Sequence, residues 1–109
     1  MKVAVIGSRN IKTDITEYIP EDATEIISGG AAGVDTLAEK YADAHGIPKR
    51  IFLPDYGEYG ASAPFVRNRR IVDAADLVVA IWDGKSRGTR YTLDYAIEMG
   101  KEIKIYTVI

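Results

Sequence analysis

The sequence predicts a Rossmann-like α/β domain, with helices on both faces of a five-stranded parallel sheet ordered 3-2-1-4-5. Three observations predict it. Short apolar runs alternate with segments of helical period along the whole chain, which is the pattern of repeated βαβ units. The first four runs are nearly continuous in apolar residues, as strands covered on both faces require. No linker, repeat or low-complexity tract interrupts the 109 residues, so residues 1–109 read as one domain.

The strands are expected at Lys2–Ile6, Glu25–Ser28, Arg50–Leu53, Leu77–Trp82 and Ile103–Ile109. The last alternates Ile103, Ile105 and Thr107 with Lys104, Tyr106 and Val108, and suits an edge strand with one wetter face. Four helices fit between the strands. Asp14-Ile15-Thr16-Glu17 is a capping-box pattern that opens a short first helix, stopped by Pro20. The second runs from about Val34 to His45, with Val34, Leu37, Ala38, Tyr41 and Ala42 as its apolar stripe; Gly46 and Pro48 end it. His45 is placed to interact with the last carbonyls of that helix. The third covers about Pro64–Ala75. The fourth covers about Thr89–Met99, with Leu93, Ala96 and Ile97 on one face and Gly100 at its end. Right-handed crossovers then give the stated strand order. The switch point falls between the first and fourth strands, where open α/β sheets bind ligands.

Composition narrows the partners. The content of 47% hydrophobic and 28% charged residues supports one ordinary core. A net charge of −2 provides no global basic field for duplex DNA or an anionic membrane. The absence of cysteine excludes disulfides, thiolate zinc sites and cysteine nucleophiles. The opening MKVAVIGSRN is too short in its apolar run for a signal peptide, and no stretch is long enough to span a membrane. A cytoplasmic protein with no metal site is expected, since no His/Asp/Glu cluster has ligand spacing.

Three strand ends converge on the switch point. The first ends in Gly7-Ser8-Arg9-Asn10, the second in Ser28-Gly29-Gly30-Ala31-Ala32-Gly33-Val34-Asp35, and the fourth in Asp83-Gly84-Lys85-Ser86-Arg87-Gly88-Thr89-Arg90. Glycines at strand-to-helix junctions admit a ligand close to the backbone, and the free N–H groups of the following helix favour an anion. The turns Gly29–Gly33 and Gly84–Thr89 are therefore expected to form a phosphate cradle. Ser86 and Thr89 would add hydroxyls, and Arg9 or Arg87 a charge-assisted contact. Two familiar phosphate loops are absent: there is no G-x-x-x-x-G-K followed by Ser or Thr, and the first strand lacks G-x-G-x-x-G.

The order GSR, GGAAGVDTLA, RNRRIVDAAD, then an apolar strand with DGKSRGT, resembles the SMF/DprA–LOG (SLOG) superfamily, and most closely its small stand-alone YspA/YpsA-related branch. The resemblance covers almost the whole chain. It implies a Rossmann-like fold binding nucleotides or their derivatives. Gly30, Gly33 and Asp35 would form one motif, with Gly84, Ser86, Gly88 and Thr89 in the phosphate loop. The LOG-type phosphoribohydrolases of that superfamily carry P-G-G-x-G-T-x-x-E and an Arg-Lys-x-x-Met motif. Here Arg67 matches the Arg, but Asn68 and Ile71 replace the Lys and Met, and Thr92 stands at the Glu. Oxocarbenium-like chemistry needs a carboxylate at the bond, and Asp94 lies about 200° around the helix from the expected position. Phosphoribohydrolase activity is therefore not carried over.

Within Arg67-Asn68-Arg69-Arg70 the four side chains circle a full turn, so Arg67 alone is chosen as a ligand contact. Pro54 to Ala63 reads as a loop longer than the fold needs, and it offers Tyr56 or Tyr59 to stack on a base, to pack back on the surface or to sit in a homodimer contact; Trp82 borders the pocket or fills the core. The leading expectation is a module that binds a nucleotide or nucleotide derivative, with sensing as one role open to it. Asp35 and Arg67 are candidates should it be catalytic. A nucleoside N-glycosidase or deoxyribosyltransferase would draw its carboxylate from Asp35, Asp83, Glu58 or Asp94. Single-stranded DNA binding, as the DprA resemblance implies, is disfavoured by the charge balance. A homodimer is expected through an exposed helical face.

Overall fold

The apolar runs assemble as their alternation requires. A computed structural model describes residues 1–108. Its strands β1 (Lys2–Gly7), β2 (Glu25–Ser28), β3 (Lys49–Ile51), β4 (Leu77–Trp82) and β5 (Glu102–Thr107) form one all-parallel sheet in the order β3-β2-β1-β4-β5. The helices are α1 (Val34–Ala44), α2 (Tyr56–Tyr59), α3 (Ala63–Ala74) and α4 (Arg87–Glu98). Alternate residues of each strand serve opposite layers. Val3, Val5, Ile26, Val79 and Ile81 pack under α1 through Val34, Ala38 and Ala42. Ala4, Ile6, Ile27, Val78 and Ala80 pack under α3 and α4, which contribute Ile71, Val72, Leu93 and Ala96. The small Ala4 and Ala80 leave room for two helices to lie side by side on that face.

Four expectations are corrected. The expected first helix is a single 3₁₀ turn, Thr16–Tyr18. Its Asp14 carboxylate bonds the Thr16 amide at 2.9 Å and the Thr16 hydroxyl at 2.6 Å, which turns the chain locally instead of capping a helix. Pro20 leaves too few residues to recover the cost of nucleation. Ile11, Ile15 and Ile19 still anchor the segment in the core. Second, β3 is shorter than Arg50–Leu53 and is exposed throughout, because it lies at the margin of the sheet between Pro48 and Pro54. Third, the stretch from Pro54 to Ala63 is not an irregular loop. It folds as α2 and a 3₁₀ turn, Gly60–Ser62, with the Asp55 carboxylate capping the Glu58 amide at 3.1 Å. Fourth, Ile105 is half exposed and β5 is partly open on both faces, while Tyr106 stacks on Tyr18 with ring centroids 4.6 Å apart. Of the expected Ile103–Ile109 strand, Ile109 lies outside the described residues. The other elements depart from expectation by one or two residues at their ends. His45 Nδ1 donates a 2.9 Å hydrogen bond to the Tyr41 carbonyl, closing α1 as anticipated.

Candidate functional site

β1, β2 and β4 end on the same side of the sheet, and a cleft of about 410 Å³ opens above them. It collects sequence candidates from four elements. Gly7 ends β1, with Ser8 and Arg9 just after it, Asp35 comes from α1, and Arg67 from α3. Ser86, Arg87, Gly88 and Thr89 come from the start of α4. The other candidates, Gly29, Gly30, Gly33 and Gly84, do not line it; they shape the turns behind its walls. Gly33 has φ +75°, and a Cβ there would collide with the carbonyl of Arg9, so the β2–α1 turn can press against the β1 loop only as glycine.

The β2–α1 bank is dominated by Asp35. The residue is only 9% exposed, and its Oδ2 accepts the Ala31 amide at 3.1 Å. Burial pushes its carboxyl above the ordinary value of 3.8, against the opposing pull of the Ala31 amide and the Arg67 charge; Glu39 adds further upward pressure. The Gly30 amide is also occupied, by the Ser28 hydroxyl at 3.3 Å. Ser28 in turn donates to Glu39 Oε2 at 2.7 Å. The expectation that this turn presents free amides to an anion is therefore not met at Gly30 or Ala31. The chain's own oxygens hold them.

The β4–α4 bank is built differently. Asp83 accepts the amides of Lys85 and Ser86 at 2.8 and 2.9 Å, and these bonds hold its carboxyl below the ordinary value. Ser86 caps α4 by accepting the Thr89 amide at 3.4 Å, and the Trp82 indole donates to the Ser86 carbonyl at 3.1 Å. Trp82 thus braces the loop at the cleft's edge. The first turn of α4 contains no acidic residue, and the leading amides of a helix have no intrahelical acceptor. A Cβ at Gly88 would meet only open space. Ser8, fully buried, ties the banks together: its hydroxyl accepts the Asp83 amide at 3.0 Å, and its carbonyl accepts the Val34 amide at 3.3 Å.

Arg67 spans the rear of the cleft. Its Nη1 donates to the Gly29 carbonyl and its Nε to Asn68 Oδ1 at 2.8 Å. Desolvation lowers its proton affinity, but a guanidinium remains charged. Gly29 is small where it must be, since a Cβ there would lie 2.9 Å from Arg67 Nη1 and 3.0 Å from Asp35 Oδ2. Arg69 and Arg70 point elsewhere. Arg70 donates to the Tyr59 hydroxyl at 2.8 Å, and Tyr56 is exposed outside the cleft. Of the four carboxylates considered for catalysis, Asp35 and Asp83 line the cleft, whereas Glu58 and Asp94 do not. Thr92, at the position of the expected Glu, lines it too and donates to the Gly88 carbonyl at 2.9 Å. The sequence reading missed Pro64, Asn68 and Ile71 as wall residues. With Arg67 they fall at helical spacings of three, four and seven, so projecting the face of α3 from Arg67 would have found them.

The X-ray structure of DNA processing protein A (DprA) from Streptococcus pneumoniae superposes on this architecture with a TM-score of 0.76. The chain has the DprA fold. The match is 20% identical, a level that speaks for the fold alone, and covers 95% of this chain. The chain spans about half the length of that DprA chain, 49% of it. No family model and no curated protein matches the sequence. Among the described residues, no helix of this DprA-like fold is long and apolar enough to cross a membrane.

Proposed function

We propose that the cleft binds a nucleotide or nucleotide-derived ligand, with its phosphate at the start of α4, and that the chain is a binding module of the SMF/DprA–LOG superfamily in its small YspA/YpsA-related branch. The observation that carries this reading is the acid-free first turn of α4, where Ser86 takes the Thr89 amide and those of Arg87 and Gly88 are left over, set beside Arg9, Arg67 and Arg87 in one cleft. Neutral amides and guanidinium groups together stabilise phosphate oxygens better than either alone. A panel of nucleotides tested by thermal denaturation decides it. A ligand present at about 100 times its Kd stabilises the fold by about 2.7 kcal/mol. Gly88→Asp is expected to abolish the shift by repulsion while leaving the fold intact, because its side chain enters open space. No shift with any nucleotide would sink the proposal.

Two other readings have specific support. The buried Asp35 carboxylate in the cleft, its proton affinity raised, favours an N-glycosidase or deoxyribosyltransferase. Release of free base from a nucleoside monophosphate, lost in Asp35→Asn, would establish it. The structural neighbour's name, a DNA processing protein, favours single-stranded DNA, for which a salt-dependent gel shift is the test. A homodimer draws support from the exposed Phe65 on α3 and Ile97 on α4, and light scattering would reveal it.

A further inference from the structure

Arg67 is a cation held almost wholly inside the protein, and no acid of the chain neutralises it by contact. The residue is 8% exposed. Its Nη1 donates to the Gly29 carbonyl and its Nε to Asn68 Oδ1, and both acceptors are neutral carbonyl oxygens. Asp35 Oδ2 and Arg67 Nη1 crowd one point, 3.0 and 2.9 Å from where a Cβ of Gly29 would stand, yet they form no ion pair. The only salt bridge among the described residues joins Lys49 to Asp43. Burial weakens Asp35 further as a counter-charge by favouring its protonated form, and Arg9 adds like charge nearby. A buried guanidinium so placed is unfavourable unless an anion reaches it.

The third guanidinium nitrogen shows where that anion enters. Glu25 Oε1 is the only partnerless side-chain nitrogen or oxygen sealed from solvent among the described residues. Arg67 Nη2 has no partner either, so it is open, and what Arg67 opens on is the cleft it lines. Asn68 decides this orientation. An Nε–H can donate only to the amide oxygen of an asparagine, and the 2.8 Å bond between them fixes the guanidinium plane. A carboxylate at position 68 would orient Arg67 equally well but cancel its charge. An apolar residue would leave the guanidinium free to turn to Asp35. A neutral acceptor does neither.

We infer that Asn68 is a positioning residue: it holds Arg67 with Nη2 toward the cleft and its charge uncompensated, so that a phosphate of the ligand supplies the missing counter-charge. The inference rests on the nucleotide reading above. It adds to the start of α4 a second, preformed anchor on α3, the helix that shares its layer of the core.

Calorimetric titration of the full chain with AMP, ADP, GMP, CMP and UMP tests it. Asn68→Leu removes the acceptor at similar volume without adding charge. It is expected to weaken nucleotide binding about 10-fold, the order of one hydrogen bond to a charged group. In an Arg67→Met background the same substitution is expected to change affinity by less than about 2-fold, because Asn68 acts only through Arg67. Asn68→Asp keeps the bond to Nε, and is expected to lose nucleotide affinity without a fall in melting temperature. Wild-type affinity in Asn68→Leu overturns the inference while leaving the nucleotide reading in place. So does an equal loss in the Arg67→Met background, which would make Asn68 a direct contact. Should Asn68→Leu fail to fold, or the double variant bind too weakly to measure, Asn68→Asp decides: nucleotide affinity equal to wild type overturns the inference. Binding of none of the five by the wild-type chain overturns the nucleotide reading, and this inference with it.

Discussion

The turns before α1 and α4 are both rich in glycine and both end beside the cleft, yet they spend their amides differently. Before α1, Ser28 and Asp35 take the amides of Gly30 and Ala31. Before α4, Asp83 takes those of Lys85 and Ser86, upstream of the helix, and within the helix's own first turn Ser86 takes only the Thr89 amide, leaving those of Arg87 and Gly88. The difference lies in where the acid falls. Asp35 is inside the first turn of its helix and folds back over the loop, whereas Asp83 precedes its helix by four residues. A glycine-rich turn thus becomes an anion site only if no nearby side chain reaches the amides first.

Substitutions can break this contrast, and the largest effect is expected at Gly33. Gly33→Ala adds a Cβ at φ +75° against the Arg9 backbone. Combined backbone strain and overpacking should cost about 3 kcal/mol or more, seen as a fall in melting temperature of at least about 10 °C. Gly84→Ala also requires a left-handed residue, at φ +81°, but meets nothing within 4 Å. It should cost about 1–2 kcal/mol in denaturant titration.

The two acids should then titrate in opposite senses. The Asp35 carboxyl is raised in the folded protein, so folding takes up protons, and its contribution is lost as pH rises from 3.8 through the raised value. The melting temperature of Asp35→Asn relative to wild type should therefore improve between acid and neutral pH. Asp83 is lowered, so its contribution is present above 3.8 and lost as pH falls through the lowered value. Asp83→Asn should be less stable than wild type at neutrality and match it in acid. Two difference curves of the same slope would refute the contrast. The smallest effect is at Gly88, where Ala has open space and better helix propensity. A gain of a few tenths of a kcal/mol is expected.

Much of the fold was legible because its signals are local. Apolar runs such as Leu77–Trp82 and the stripe from Val34 to Ala42 fix strand and helix, and crossover handedness fixes their order. The segment from Asp14 to Pro20 was misread because a capping pattern shows only what could start a helix. Whether enough residues follow to propagate it is a separate question. β3 was misread because burial depends on sheet position, which an apolar run does not encode. At the cleft, chain order brought Arg9, Arg67 and Gly88 within reach of one hollow. It could not show that Asp35 occupies the Ala31 amide, since that depends on one rotamer and a turn shape. Nor could it show that Ser8 stitches three segments together, because its partners, Asp83 and Val34, lie far along the chain.

The margins of the sheet carry a consequence of their own. An open strand edge is a template for another chain, and proteins blunt it with short length, proline and charge. β3 has three residues, Lys49 and Arg50 among them, bounded by Pro48 on one side; β5 carries Glu102 and Lys104 at the other margin. Both rims thus discourage edge-to-edge pairing of sheets into fibrils, and the apolar interior strands remain out of reach of a neighbouring molecule.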